Sequence, residues 1–138
     1  MHTIGSVLDL HGVTVPDETI AEIEVPVLAT AQRQGDVLIV PRGPLSVAER
    51  EDAVQVPAEG VAVVVGEATG NTHLLHAEGV VLWARRSGGV QLGVLEVAEG
   101  AEAYLIHTDE HGANGIAPST YALHGKREQA DEIRRVAD

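Results

Sequence analysis

Five of the seven histidines gather in two stretches and one flanking position: His73 with His76, His107 with His111, and then His124. Imidazole and carboxylate are the ligands open to a chain without cysteine, and a divalent transition metal needs three or four of them converging from different elements. His107 and His111 stand four apart, so extended backbone or one helical turn puts both on one side, with Asp109 and Glu110 beside them. His73 and His76 stand three apart; a regular strand turns them to opposite faces, and only a bulge or turn would bring both to one ion. The expected metal ligands are therefore His73, His107 and His111, joined across the two stretches. Glu110 is expected as a further ligand or as the base toward a metal-bound water, with Glu67 and Glu78 as additional acids. Two readings compete with a metal: acid-base chemistry by His73 and His111 on a small substrate, and plain solvated histidines at strand ends.

Other chemistry finds little support. Gly66 and Gly70 give a loop without the Lys-Ser/Thr and following helix of a phosphate cradle. Thr72, Ser87 and Ser119 lack a nucleophile elbow or an ordered triad. Arg33-Gln34-Gly35-Asp36 is expected as a turn in which the Asp accepts backbone N–H bonds. Trp83 is expected in the core, Arg85 and Arg86 on a solvated edge, and Glu49-Arg50-Glu51-Asp52 in a solvated loop.

The elements that must position the histidines are short. Apolar runs at residues 25–30, 36–40, 53–56, 61–65, 80–84, 90–97, 103–106 and 120–123 are expected as strands, separated by Gly and Pro turn signals at 42–44, 57–60, 87–89 and 99–100. The run of residues 61–65 shows no alternation and reads as buried on both faces, whereas 90–97 alternates imperfectly and keeps a wetter face. Helix is expected at two places only, one after Pro16 and stopped by Pro26, the other across 127–136.

At 138 residues the chain is one domain long, and 44% apolar residues with no Phe, one Trp and two Tyr require an aliphatic core. Nine basic against 21 acidic residues give a net charge of −12, a field that repels phosphate backbones and anionic lipid, so neither nucleic acid nor membrane is expected as a partner. With no cysteine, disulfides, thiolate metal sites and Cys nucleophiles are excluded, and a cytoplasmic setting is expected. No stretch has the length and character of a signal peptide or a membrane-spanning helix.

Two resemblances follow from the motifs. Gly66, Asn71, His73 and Glu78, then Gly112, Pro118, Thr120, His124 and Glu128, resemble off register the two metal motifs of the cupin barrels, which implies a barrel more than it implies a metal. A closer similarity is to a family of small uncharacterised bacterial and phage proteins. Its common region carries Arg-Gln-Gly-Asp-Val-Leu, Gly-Glu-x-Thr-Gly-His-x-His, Thr-His-x-Glu-His and Pro-x-Gly-x-Tyr segments and an Arg-Gln-Arg-Glu-like end. Here stand Arg33-Gln34-Gly35-Asp36-Val37-Leu38, Gly66-Glu67-Ala68-Thr69-Gly70-Asn71-Thr72-His73, Glu110-His111, Pro118-Ser119-Thr120-Tyr121 and Gly125-Lys126-Arg127-Glu128. The similarity implies a β-rich module with a histidine site and brings no activity. Asn71 and Thr108 occupy two of the four implied histidine positions, so a degenerate, metal-free member is the alternative.

The fold expected is all-β: one small antiparallel barrel or sandwich of about eight strands, cupin-like, with short helices near the termini at most. Residues 33–138 form the domain and residues 1–32 an extension, serving as arm, edge strand or oligomer contact. The function expected is a divalent transition-metal site for an unidentified small molecule. The alternative is a non-catalytic homo-oligomeric assembly module without metal.

Overall fold

Aliphatic runs with period-two burial and glycine at the reversals become strands. The computed structural model describes residues 2–12, 24–64, 73–86, 90–108 and 112–125. The strands are β1 (Val27–Leu28), β2 (Gln32–Gln34), β3 (Val37–Pro41), β4 (Val54–Gln55), β5 (Val61–Ala62), β6 (His73–Glu78), β7 (Val81–Arg85), β8 (Gln91–Val97), β9 (Glu102–His107), β10 (Gly112–Ile116) and β11 (Ser119–His124). They form two sheets. The first has the order β1-β10-β9-β6-β5 and the second β2-β3-β11-β8-β7-β4. All pairs are antiparallel except β1 with β10. The expected all-β architecture is therefore present as a sandwich; the sheets do not close into a barrel.

The core lies between the sheets, where Ile39, Leu75, Trp83, Leu95, Leu105, Tyr121 and Leu123 pack together, aliphatic apart from one indole and one phenol. Alternation fixes which side chains reach it. In β6, Leu75 and Ala77 turn inward; in β9, Ala103 and Leu105 do so, while Tyr104 and Ile106 turn outward. The chain changes sheets at tight corners. Gly79 (φ 91°) lies between β6 and β7, and Gly100 (φ 80°) between β8 and β9, both in the left-handed region that glycine enters without strain.

Each outer face carries a short helix. Helix α1 (Ile4–Leu10) starts at a capping box in which the Thr3 hydroxyl accepts from the Ser6 N–H and the Ser6 hydroxyl accepts from the Thr3 N–H. It lays Val7 and Leu8, both fully buried, on Tyr104 and Ile106 of the first sheet. Burying each of these side chains contributes about 1.5–3 kcal/mol relative to leaving it exposed. Of the expected extension, the described parts thus fold back on the sheet as α1 and as the edge strand β1. On the second sheet, Leu45 and Ala53 cover Ala84 and Val94. Between them runs α2 (Val47–Asp52), capped by Ser46 and Glu49.

Several expectations need correction. Residues 49–52 are helix rather than loop, because Ser46 and Glu49 supply a capping box and the charges find partners: Arg42 with Glu49 at 2.7 Å, Arg50 with Glu96 at 2.7 Å and Arg86 with Asp52 at 2.9 Å. This helix also lies mid-chain rather than near a terminus. Strands β2, β6 and β10 were not expected, since Gln, His, Gly and Asn interrupt their apolar pattern. The helices expected after Pro16 and across 127–136 fall largely or wholly outside the described residues. No helix among the described residues is long and apolar enough to cross a membrane.

Candidate functional site

Strands β6 and β9 pair in register from His73 opposite His107 to Glu78 opposite Glu102. Because side chains alternate, this one ladder carries two polar clusters on opposite faces of the first sheet. His73 and His107 sit at one end of the inward face with ring centroids 4.6 Å apart and planes at 84°. His76, Glu78, Glu102 and Tyr104 stand on the outward face, beneath the segment that holds α1.

On the inward face, a polar chain sets the tautomer of His73. The Gln34 side-chain amide donates to the Leu105 carbonyl at 2.6 Å and to the Asn114 side-chain oxygen at 3.0 Å. A backbone carbonyl can only accept, so the Gln34 nitrogen must point that way and its oxygen must face His73 Nδ1, 3.0 Å off. Nδ1 therefore donates, and in the neutral ring Nε2 is the nitrogen that carries the lone pair. Asn114 is held in turn, donating to Gln32 Oε1 at 3.2 Å. Gln34 and His73 are both buried. An imidazole whose Nδ1–H is locked by an amide oxygen has the outer support typical of a metal-ligating or base histidine.

The outward cluster is larger. His2 Nε2 lies 3.2 Å from Glu78 Oε2, and the Tyr104 hydroxyl donates a short hydrogen bond to Glu102. His2 meets the Tyr104 ring edge-on at 5.8 Å. His11, the residue after α1, stacks on His76 with centroids 4.3 Å apart. His76 is 1% exposed, and neither of its ring nitrogens has a hydrogen-bond partner. Burial, reinforced by the neighbouring His11, pushes its pKa down to about 4. His11 is likewise lowered, by burial, against the opposing influence of Glu78. Burial and then the Glu102 hydrogen bond raise the Tyr104 hydroxyl far above its ordinary value, so it keeps its proton and donates it to Glu102.

Of the residues expected in the site, the ladder places His73 directly opposite His107. His111 and Glu110 lie outside the described residues, as do Glu67 and Asn71; Gly112, the residue after His111, is the register partner of His107 on its other side. Glu78 does not join His73, because five positions along a strand put them on opposite faces. His76 parts from His73 as its three-residue spacing predicts. His124 ends β11 in the second sheet. Sequence reasoning missed Gln34, taken only as part of a turn, and also His2, His11, Glu102 and Tyr104. The alternation Glu102, Tyr104, Ile106 against Ala103, Leu105, His107 held the signal for the last two. Nothing local marks His2 and His11, which join the cluster only because α1 folds back.

Residues 33–126 match the model of a family described as a domain of unknown function (DUF8820). No curated protein and no solved structure matches the chain at a significant level.

Proposed function

The chain belongs to this family, whose description carries no activity, and from its own geometry we propose that it is a divalent transition-metal-binding protein using the imidazoles of His73, His107 and His111. The observation that carries the reading is the cross-strand apposition of His73 and His107, with the His73 tautomer fixed by Gln34. Two imidazoles at one sheet end, one of them already oriented through its second nitrogen, supply the donors that zinc, iron or nickel favour. His111 and Glu110 belong to the four-residue connection between the paired positions His107 and Gly112, which supports them as third ligand and as base. A bound cation would lower the pKa of a coordinated water and polarise a small substrate's oxygen. Around it, Gln34 orients His73 and the −12 charge favours cation entry. An intracellular, reducing compartment suits a chain without cysteine.

Metal analysis of untagged protein tests this. His73→Ala or His107→Ala is expected to bind about one equivalent of transition metal less than the parent chain. A difference of less than about a tenth of an equivalent between the parent and these variants after incubation with zinc, iron or nickel would remove the reading.

A further inference from the structure

We propose that the outward face of the first sheet holds a second, separate cation site in which His2, Glu78 and Glu102 bind a divalent first-row ion such as Zn2+ or Mn2+ and pin the N-terminal helix to the sheet. The ligand atoms of these three residues all lie within 4.8 Å of one another. Glu78 and Glu102 are direct cross-strand partners, and like charges placed opposite each other on antiparallel strands destabilise the pair. Among the described residues neither carboxylate meets a lysine or arginine; Glu78 has His2, and Glu102 has the Tyr104 hydroxyl. A dication between them turns that repulsion into attraction. One imidazole nitrogen with two carboxylates is a donor set suited to zinc or manganese.

A second observation points the same way. His76, on the same face of β6 and two residues from Glu78, is buried with both ring nitrogens unbonded, and the Nε2 of His11 against it is also buried and unbonded. Buried polar atoms in native proteins are almost always satisfied. The His76 ring leans over Gly60, but the His11 ring stands 6.1 Å from that of Tyr104, the donor to Glu102, so the orphan His11 nitrogen marks a place beside the carboxylates open to something polar. The location gives the ion its consequence. His2 immediately precedes the Thr3 cap of α1, and its carbonyl accepts from the Val25 N–H at 2.7 Å. An ion bridging His2 to β6 and β9 ties down the start of the helix whose Val7 and Leu8 cover Tyr104 and Ile106. Ion binding and helix docking are then linked.

The test uses the untagged full chain carrying His73→Ala and His107→Ala, so that the site proposed above is absent. Calorimetric titration with Zn2+ or Mn2+ is expected to find one equivalent. Amide exchange across residues 4–10 should slow at least tenfold on saturation. Adding Glu78→Gln with Glu102→Gln, which keeps volume and removes the repulsion, should weaken binding at least a hundredfold and abolish the slowing, while the metal-free melting temperature stays level or rises. His2→Ala in the otherwise unchanged parent chain is a second variant, expected to remove one equivalent and leave any ion at His73. No bound ion in the His73→Ala, His107→Ala chain, or binding and helix protection that survive both the Glu→Gln pair and His2→Ala, overturns the proposal. Survival of His73-dependent binding in that case leaves the function proposed above intact.

Discussion

His73 and His107 face each other across β6 and β9 with their rings 4.6 Å apart, and the same ladder, three residues further along β6, turns His76 the other way toward α1. One strand thus serves two clusters. Parity along the strand, rather than closeness in sequence, decides which histidine joins which.

Gln34 is the residue on which the inward cluster turns. Gln34→Leu is expected to leave the Leu105 carbonyl, the Asn114 oxygen and His73 Nδ1 each short of a partner, at a cost of about 1–3 kcal/mol for each such group that water cannot reach. It should also weaken metal binding about 10–100-fold, the usual effect of losing the group that orients a ligand. Gln34→Glu keeps an acceptor for His73 but removes both amide donors, so it should destabilise the fold while holding the ion better than Gln34→Leu. Denaturant unfolding and zinc titration of both variants check this; equal affinities would show that Gln34 does not set the His73 tautomer.

Gly60 closes the 57–60 turn at φ 82°, and a Cβ there would stand 2.7–2.9 Å from three ring atoms of His76. Gly60→Ala therefore carries two penalties, about 1–2 kcal/mol for left-handed backbone and about 1–3 kcal/mol for displacing the imidazole. His76→Ala should relieve the second and leave the first. A double-mutant cycle read by denaturant unfolding is expected to give a coupling of about 1 kcal/mol or more, with Gly60→Ala milder in the His76→Ala chain; additive costs would show that the ring yields freely.

Much of this architecture could be read from residue pattern, and the failures share a cause. Strands β3, β7, β8 and β9 announce themselves because valine, leucine and isoleucine recur between glycine or proline reversals, and β11 does so through Tyr121, Ala122 and Leu123. Strand β6 carries two histidines and a glutamate, so its apolar pattern is diluted where the chemistry sits. Strand β10, Gly112-Ala113-Asn114-Gly115-Ile116, has almost no side chain to declare it; it is a strand because β9 and β1 lie on either side. The parting of His73 from His76 followed from spacing alone. The contribution of His2 and His11 did not, because it depends on α1 packing over a sheet some seventy residues away in sequence.

Glu49 gives the second sheet a modest acid sensitivity. Arg42 grips it through two hydrogen bonds, at 2.7 and 2.8 Å, and the Ser46 N–H adds a third, holding its carboxyl down to about 2 against an ordinary 4.5. A carboxylate with a lowered folded pKa stabilises fully above its unfolded pKa, and that contribution disappears as pH falls from about 4.5 toward 2. Solvent and salt screen the pair, so its worth is below about 1 kcal/mol. Glu49→Gln should be less stable than the parent at pH 7 by that amount, with the gap narrowing as pH drops to 3. Urea midpoints at the two pH values measure it, and a constant gap would assign the effect to helix capping alone.

Gly93 on β8 is where Trp83 of β7 rests. An added Cβ would overlap the six-membered ring of the indole and come 2.7 Å from the Ala84 carbonyl oxygen, so neither ring nor backbone has room to yield locally. Gly93→Ala is therefore expected to destabilise by about 1–3 kcal/mol through overpacking, despite adding one methyl group to a β-strand where alanine is ordinarily no worse than glycine. Trp83 is the chain's single tryptophan and is 3% exposed, which makes the displacement visible. Its emission should shift to longer wavelength in the folded variant as the indole moves toward solvent. Trp83→Leu should remove most of the penalty of Gly93→Ala by opening the space above the glycine. If Gly93→Ala leaves both the emission maximum and the unfolding midpoint unchanged, Trp83 does not pack on Gly93 in solution.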